Sequence, residues 1–502
     1  MSVVKSSTLL ATLILLWEIL SSQVQATGFS QPKTVIAQST TTSGQSVSTE
    51  LSLCPADLPN SIREIIDQPH LRRSRWGIHL QRLASEEILY QLNAEDFFTP
   101  ASNAKLFTTA AALQTLGSDF RIRTPIYATG KAPDLATLKL VGQGDPSLTT
   151  EKLQILVEQL QQLGVKKIGK LILEDSDFGT ARVNPTWEWE DLLFYYAAPI
   201  SSLILNENAV ILKLFPEAIN QPLRLEWSDL IAAKQWKVNN EAIASQEDSH
   251  DNVSITARPW QSQLNIQGSL AIDSLPDTFG LAIPHPGRYF LATLEQLLTE
   301  AGIEVEQAIL SSAKLPHGSE QPIITLVSDT LGELIQTINQ ESHNLYAEAL
   351  RQTLITKTNK NDKDNPLSQP LSELGVDSST YQLIDGSGLS RRNLVSPKSL
   401  GQLLISINQA PTLQVYRDSL AVSGQSGTLK NRFQDSEITN HFTGKTGTLT
   451  GISALSGYLE PKTFPELVVT ILVNQSDQPA SVLRRAIDQI IQRIYYLDPL
   501  GC

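Results

Sequence analysis

Ser102-Asn103-Ala104-Lys105 places a hydroxyl and an amine three residues apart. On a helix opening at Pro100, a residue suited to a first turn, the two side chains share one face. A serine hydroxyl becomes a nucleophile when a base takes its proton, and a lysine is that base only when burial or a nearby cation lowers its pKa. The positive end of the helix dipole favours the negative charge that develops on such a serine. The same pattern recurs at Ser2 and Lys5 and at Ser311 and Lys314. The first pair lies in an apolar N-terminal segment, and the second runs into Pro316 and Gly318, which stop a helix. Only Ser102 opens a long apolar helix.

Ser342-His343-Asn344 stands before Leu345-Tyr346-Ala347-Glu348-Ala349-Leu350. A hydroxyl and an amide two residues apart at such a turn can relay a proton and hold a substrate amide. In isolation the serine also reads as a helix N-cap. His343 titrates near neutrality, and its place in a polar turn predicts a solvent-exposed loop histidine rather than a catalytic one. A second triplet, Ser406-Ile407-Asn408, falls inside an apolar helical pattern and is assigned to that helix. Lys445-Thr446-Gly447-Thr448 follows Gly444 and precedes an apolar strand pattern. Its glycines let an extended peptide approach and pair with this backbone. Lys445 would supply a cation for a carboxylate and would depress the pKa of Lys105. Alone, the segment also reads as an exposed hairpin rich in Thr and Gly.

The hydrophobic pattern outlines the elements that must position these residues. Apolar alternation over 76–92 predicts strands, and Leu106, Phe107, Ala110 and Leu113 recur at helical spacing behind Pro100. Short β-like runs follow at 121–128, 135–141, 168–173, 209–215, 223–227, 253–257 and 264–270, with a polar loop over 239–252. Helical periodicity returns at 290–301, 331–354, 397–408 and 480–495, and the charged segment 356–370 predicts a solvated connection. The middle is β-rich between mixed α and β flanks, without a repeat of fixed period.

The chain has 502 residues, with 39 Lys plus Arg against 52 Asp plus Glu and a net charge of −13. That charge excludes a nucleic-acid binder working by phosphate neutralisation. A composition of 41% hydrophobic and 18% charged residues is that of an ordinary globular chain of about three domains. Residues 1–26 carry Lys5, an apolar run over 9–20 and a small-residue site at Val24-Gln25-Ala26, the pattern of an export signal cleaved near Ala26. A retained anchor is the alternative, although the run is shorter than the roughly 20 residues of a membrane span. Residues 27–53, rich in Ser, Thr and Gln, predict a flexible linker. Export puts the folded body outside the cytoplasm, with membrane contact peripheral at most. Cys54 and Cys502 lack zinc-ligand spacing and no Cys/His cluster supplements them, so neither metal nor cofactor is expected. An oxidising compartment would bridge them and fasten the two ends of the body together; two unpaired thiols are the alternative.

Taken in order, the three motifs resemble the active-serine set of penicillin-binding proteins and serine β-lactamases, with His343 at the variable middle position of the second. Ser102 and Ser342 are 240 residues apart, and Ser342 and Lys445 are 103 apart. The first gap is far longer than in a compact β-lactamase. The chain resembles the D-alanyl-D-alanine carboxypeptidase/endopeptidase family of the penicillin-binding protein 4 type, peptidase family S13. Gly144-Asp145-Pro146-Ser147-Leu148, Glu174-Asp175-Ser176-Asp177-Phe178, Trp187-Glu188-Trp189-Glu190-Asp191-Leu192, Leu205-Asn206-Glu207-Asn208 and Asp385-Gly386-Ser387-Gly388-Leu389-Ser390-Arg391 extend the likeness.

The resemblance implies an α/β (α+β) fold: a serine β-lactamase/transpeptidase-like domain, with an antiparallel sheet flanked by helices, interrupted by two nested β-rich inserted domains. The transpeptidase-like domain would cover 54–122 and 323–502, one inserted domain 123–204 and 273–322, and a nested one 205–272. Ser102 would be acylated, Lys105 would be its general base, and Ser342 would relay the proton to the leaving D-alanine. Asn344 would hold the peptide, and Lys445 would bind the substrate carboxylate with Thr446, Gly447 and Thr448. The N–H groups of Ser102 and Thr448 would form an oxyanion hole, about 3 kcal/mol per donor. Asp175, Phe178 and Arg391 would recognise the free amino end of a stem-peptide side chain. The implied partners are peptidoglycan stem peptides and β-lactam antibiotics, which mimic the D-Ala-D-Ala end and leave a slowly hydrolysed adduct. Two other readings keep the fold. The long insertion speaks against a rapidly deacylating β-lactamase, and the presence of every motif side chain speaks against a silent wall-binding protein.

Overall fold

The computed structural model describes residues 52–178, 183–258, 262–315, 321–358, 365–410, 414–499 and 502. The expected export signal and the linker up to residue 51 lie outside the described residues. In helix α1 (Leu58–Ile66), Leu58, Ile62, Ile65 and Ile66 recur at helical spacing and form its buried face. Strands β1 (Arg75–Arg82) and β2 (Ile88–Leu92) then pair antiparallel. Helix α2 (Ala104–Leu116) begins after a 3-10 turn at Ala101–Asn103, not at Pro100. It is buried on all sides from Ala104 to Leu113, where Ala110, Ala111 and Ala112 let its neighbours come close.

The chain next leaves this body. Strands β3 (Arg123–Lys131) and β4 (Asp134–Val141), helix α3 (Thr150–Gln162) and strand β5 (Lys167–Glu174) follow. The hydroxyl of Thr149 caps α3, and Leu153, Leu156, Val157 and Leu160 form its buried face. Eight short strands come next: β6 (Ala209–Phe215), β7 (Arg224–Trp227), β8 (Lys237–Asn240), β9 (Ile243–Ser245), β10 (Ser254–Arg258), β11 (Gln263–Gln267), β12 (Ser269–Ala271) and β13 (Asp277–Ala282). Helix α4 (Pro286–Glu300) and strands β14 (Glu304–Ser311) and β15 (Ile324–Val327) complete the insertion.

A five-stranded sheet runs β14-β5-β4-β3-β15, parallel across its first three strands and antiparallel after them. Smaller sheets are β13-β6-β7, β10-β11-β8 and β12-β9. The expected loop over 239–252 contains the end of β8 and all of β9, because partners far along the chain pair with them. The run 264–270 is two strands, broken at Gly268, where φ is +103° and a Cβ would lie 2.4 Å from the Asn252 carbonyl oxygen. Strand pairing also crosses two expected boundaries: β13 pairs with β6, and β15 with β3.

The stretch 331–354 is two helices, α5 (Leu331–Gln340) and α6 (Asn344–Lys357), separated by a turn in which Ser342 has φ +60°. After the short pair β16 (Tyr381–Gln382) and β17 (Leu394–Val395) comes helix α7 (Pro397–Gln409). Strands β18 (Ala421–Val422), β19 (Phe442–Leu449), β20 (Ile452–Leu459) and β21 (Leu467–Asn474) precede helix α8 (Ala480–Tyr495). The principal sheet runs β18-β19-β20-β21-β1-β2 and is antiparallel throughout. One face packs on Leu58, Ile62, Ile487 and Ile491 of α1 and α8. The other packs on Phe107 and Ala111 of α2 and Leu400 and Leu403 of α7. Leu53 pairs with Leu497, and a Cys54–Cys502 disulfide spans 448 residues.

Candidate active site

Ser102 sits in the turn that feeds α2, behind Ala101 at φ +48°. A non-glycine residue in that region persists only where its surroundings impose it. Two glycines supply that pressure. A Cβ on Gly388 would lie 1.9 Å from the Ala101 carbonyl oxygen, and one on Gly447 would lie 2.8 Å from that of Pro100. The 385–388 loop and β19 therefore clamp the serine turn backbone to backbone.

One helical turn on, Lys105 is fully buried. Its Nζ donates to Ser102 Oγ at 3.0 Å, Asn344 Oδ1 at 2.6 Å and the Ser387 carbonyl at 2.5 Å. Burial lowers its pKa to about 7, while Asp385 and Glu348 oppose the fall. Lys445 is equally buried, and Nζ donates to Ser342 Oγ at 2.8 Å and to the Thr446 carbonyl at 2.9 Å. Lys445 was expected to depress Lys105, but burial is the principal cause there. Lys445 itself is driven far down, by burial first and by repulsion from Lys105 second.

Ser342 and Asn344 touch these amines directly, Gly447 backs the serine turn, and Thr446 and Thr448 continue β19 on either side of it. Asn344 fixes its amide by donating Nδ2 to the Tyr196 carbonyl at 2.7 Å. Thr446 Oγ1 donates to Thr428 Oγ1 at 2.8 Å. The two-residue β18 pairs with β19 only at Thr443 and Gly444, so Lys445 to Thr448 lie past its end on the outer side of β19. That is where an extended peptide can add as a strand.

His343 is not the exposed loop residue expected from the sequence. It is buried, its Nε2 lies 3.0 Å from Glu207 Oε2, and its ring packs on Tyr346 with centroids 4.5 Å apart. It also supplies the helix cap, accepting the Tyr346 N–H on Nδ1 at 3.5 Å, a role open to Ser342 on sequence grounds. Asp175 is 4% exposed, and its two oxygens accept from Ser201 Oγ, Ser202 N and Ser202 Oγ at 2.9 to 3.0 Å. Its carboxylate fastens the 201–202 loop, so the structure does not present it as an open ammonium site. Phe178 packs with Trp187, Tyr196 and Leu449 on the wall between insertion and body. Arg391 is at the rim, with Nε 2.6 Å from Glu188 Oε1 and NH1 donating to the Thr450 carbonyl at 3.0 Å.

Sequence reasoning assigned no task to Ser387, Glu348, Tyr196 or Thr428. Three of them act through backbone or through a neighbour, which side-chain motifs do not report. The signal available was Asp385-Gly386-Ser387-Gly388, a turn whose Asp385 oxygens accept from Trp187 Nε1, Asn393 Nδ2 and the N–H groups of Gly388 and Ser390. Among the described residues there is no group of three or more His, Cys, Asp or Glu suited to a metal, and no helix long and apolar enough to cross a membrane.

A buried lysine bonded to a serine at a helix start, beside a second lysine bonded to a second serine, is an arrangement suited to active-serine acyl transfer. The chain matches the D-Ala-D-Ala carboxypeptidase 3 (S13) family over residues 58–494 and belongs to it; its class is that of a hydrolase. It is 31% identical over 445 residues to a D-alanyl-D-alanine carboxypeptidase of Actinomadura sp. (strain R39), covering 84% of this chain and 82% of that one. It is 28% identical over 450 residues to penicillin-sensitive carboxypeptidase A of Dictyostelium discoideum, covering 80% and 83%. Its fold is similar to the crystal structure of penicillin-binding protein 4 from Haemophilus influenzae, with a TM-score of 0.76 and 21% identity over 87% of this chain and 99% of that one.

Proposed function

We propose that the protein is an exported serine D-Ala-D-Ala carboxypeptidase and D,D-endopeptidase that works on peptidoglycan stem peptides through an acyl-enzyme on Ser102. The neutral amine of Lys105 takes the Ser102 proton as Oγ attacks the D-alanyl carbonyl, and the N–H groups of Ser102 and Thr448 receive the oxyanion. Ser342, bonded to Lys445, passes a proton to the departing amine, which leaves as the C–N bond breaks. Water then hydrolyses the ester and regenerates Ser102. Lys445, Thr446 and Thr448 hold the substrate carboxylate, Gly447 admits the peptide backbone, and Asn344 orients the peptide beside Lys105.

The observation that carries this reading is the contact between Ser102 Oγ and Lys105 Nζ at 3.0 Å, with the amine poised near neutrality by burial. Export by residues 1–26 puts it on the cell-wall side of the inner membrane, in the periplasm. At the rim, the exposed Glu188, paired with Arg391, is the anion for the free amino end of a stem peptide, since Asp175 is taken up by Ser201 and Ser202. The names of the penicillin-sensitive relative and of the neighbour solved with a β-lactam support inhibition by penicillins.

Fluorescent penicillin and intact mass test the assignment, with Ser102→Ala alongside. One adduct per chain, absent from the variant and decaying slowly, is the expected result. Rapid decay would turn the reading towards a β-lactamase, and a folded protein that takes no label would overturn it.

A further inference from the structure

Helix α6 grips Lys105 twice. Asn344 touches the amine directly, and Glu348, four residues on and therefore on the same face, reaches it through one intervening residue. Glu348 is 1% exposed. Its Oε1 accepts both the Gly386 N–H at 2.9 Å and the Ser387 N–H at 2.8 Å. The carbonyl of that same Ser387 accepts from Lys105 Nζ. Gly386 permits the arrangement, since a Cβ there would lie 2.8 Å from the Ala347 carbonyl oxygen of α6. The loop thus stands between a carboxylate and an amine, with two N–H groups turned to the first and one C=O to the second.

We propose that Glu348 is the positioning residue for the base: it fixes the carbonyl on which Lys105 rests, and its charge sets the pH at which that amine becomes free to accept a proton. The inference rests on Lys105 serving as the base. Asp385 and Glu348 favour the charged amine, and Asp385 disfavours the charge on Glu348. Arg351 favours ionised Glu348, while Lys445, itself facing Glu341, bears the repulsion of Lys105. Burial raises Glu348 to about 7 and brings Lys105 down to about 7. Asp385 is spent on loop hydrogen bonds, whereas both bonds of Glu348 fall on one oxygen that a glutamine also possesses.

Glu348→Gln therefore removes the charge and keeps the two acceptor contacts. Penicillin acylation is followed by stopped flow from about pH 5 to about pH 9, each variant scaled to its own plateau. In the wild type the rate climbs with pH along a limb that Lys105→Ala abolishes. In Glu348→Gln that limb moves to lower pH by about one unit, because loss of a negative neighbour makes the amine easier to deprotonate. Glu348→Asp keeps the charge but withdraws the oxygen from the loop, so its limb stays near the wild-type pH while its plateau falls. A Glu348→Gln limb that coincides with the wild type or moves to higher pH overturns the proposal, as does a Glu348→Asp plateau equal to the wild type. Wild-type rates in Lys105→Ala would instead remove the base assignment itself, an outcome read independently of the two Glu348 variants.

Discussion

In the principal sheet, β20 and β21 are buried at all eight positions of each strand, whereas β6 in the insertion alternates between buried and half-buried residues. The first sheet is covered on both faces by helices, so its interior offers nothing to a ligand and its chemistry is confined to the edge at β19 and the turns pressed against it. In the insertion, β6 keeps one face partly wet, the pattern of antiparallel strands that form a surface. One region gains precision by close packing and the other gains area. The regions meet at Glu207 and His343, and at Asn344 with the Tyr196 carbonyl.

Predictions that break this contrast differ greatly in size. Ser102→Ala abolishes covalent labelling by penicillin, read by intact mass. The pH dependence comes next. Because Lys105 acts as a base only when neutral and its pKa is lowered to about 7, acylation falls as pH drops below that value, approaching about tenfold per unit. Core truncations separate the regions: Ile471→Ala on β21 and Leu264→Ala on β11, both fully buried, each cost about 2 to 5 kcal/mol in denaturant unfolding. Only Ile471→Ala should slow penicillin acylation appreciably, since Leu264 lies in the cluster formed by the insertion. Glu207→Gln loosens the contact between the regions and slows acylation about threefold, a change of under 1 kcal/mol, since the carboxylate is partly exposed. Smallest, Leu275→Ser at a side chain 83% exposed shifts stability by less than about 0.5 kcal/mol.

What was legible follows the same division. Periodicity located 209–215 and 480–495 at the bounds of β6 and α8, because alternation and helical spacing are local signals. The three motifs were visible as residue types. Their assembly was not, since it depends on left-handed backbone at Ala101 and Ser342, held by contacts from distant segments. Nor does a motif reveal that His343 is buried, because its partner Glu207 lies in the inserted region. Helix α3 was missed although Leu153, Leu156, Val157 and Leu160 carry its spacing behind a threonine cap. Strands dominated the surrounding pattern and masked it. The expectation for Asp175 rested on likeness of sequence, and its buried neighbours Ser201 and Ser202 could be seen only in three dimensions.

The bridge between Cys54 and Cys502 makes the folded body a closed covalent circuit. A protease that cuts one exposed loop within that circuit opens a ring instead of releasing a fragment, so both pieces remain one molecule at a fixed effective concentration. Such a nicked enzyme would run as a single species until reduced. Such damage would then cost it a peptide bond without separating the serine turn from the two motifs that complete it.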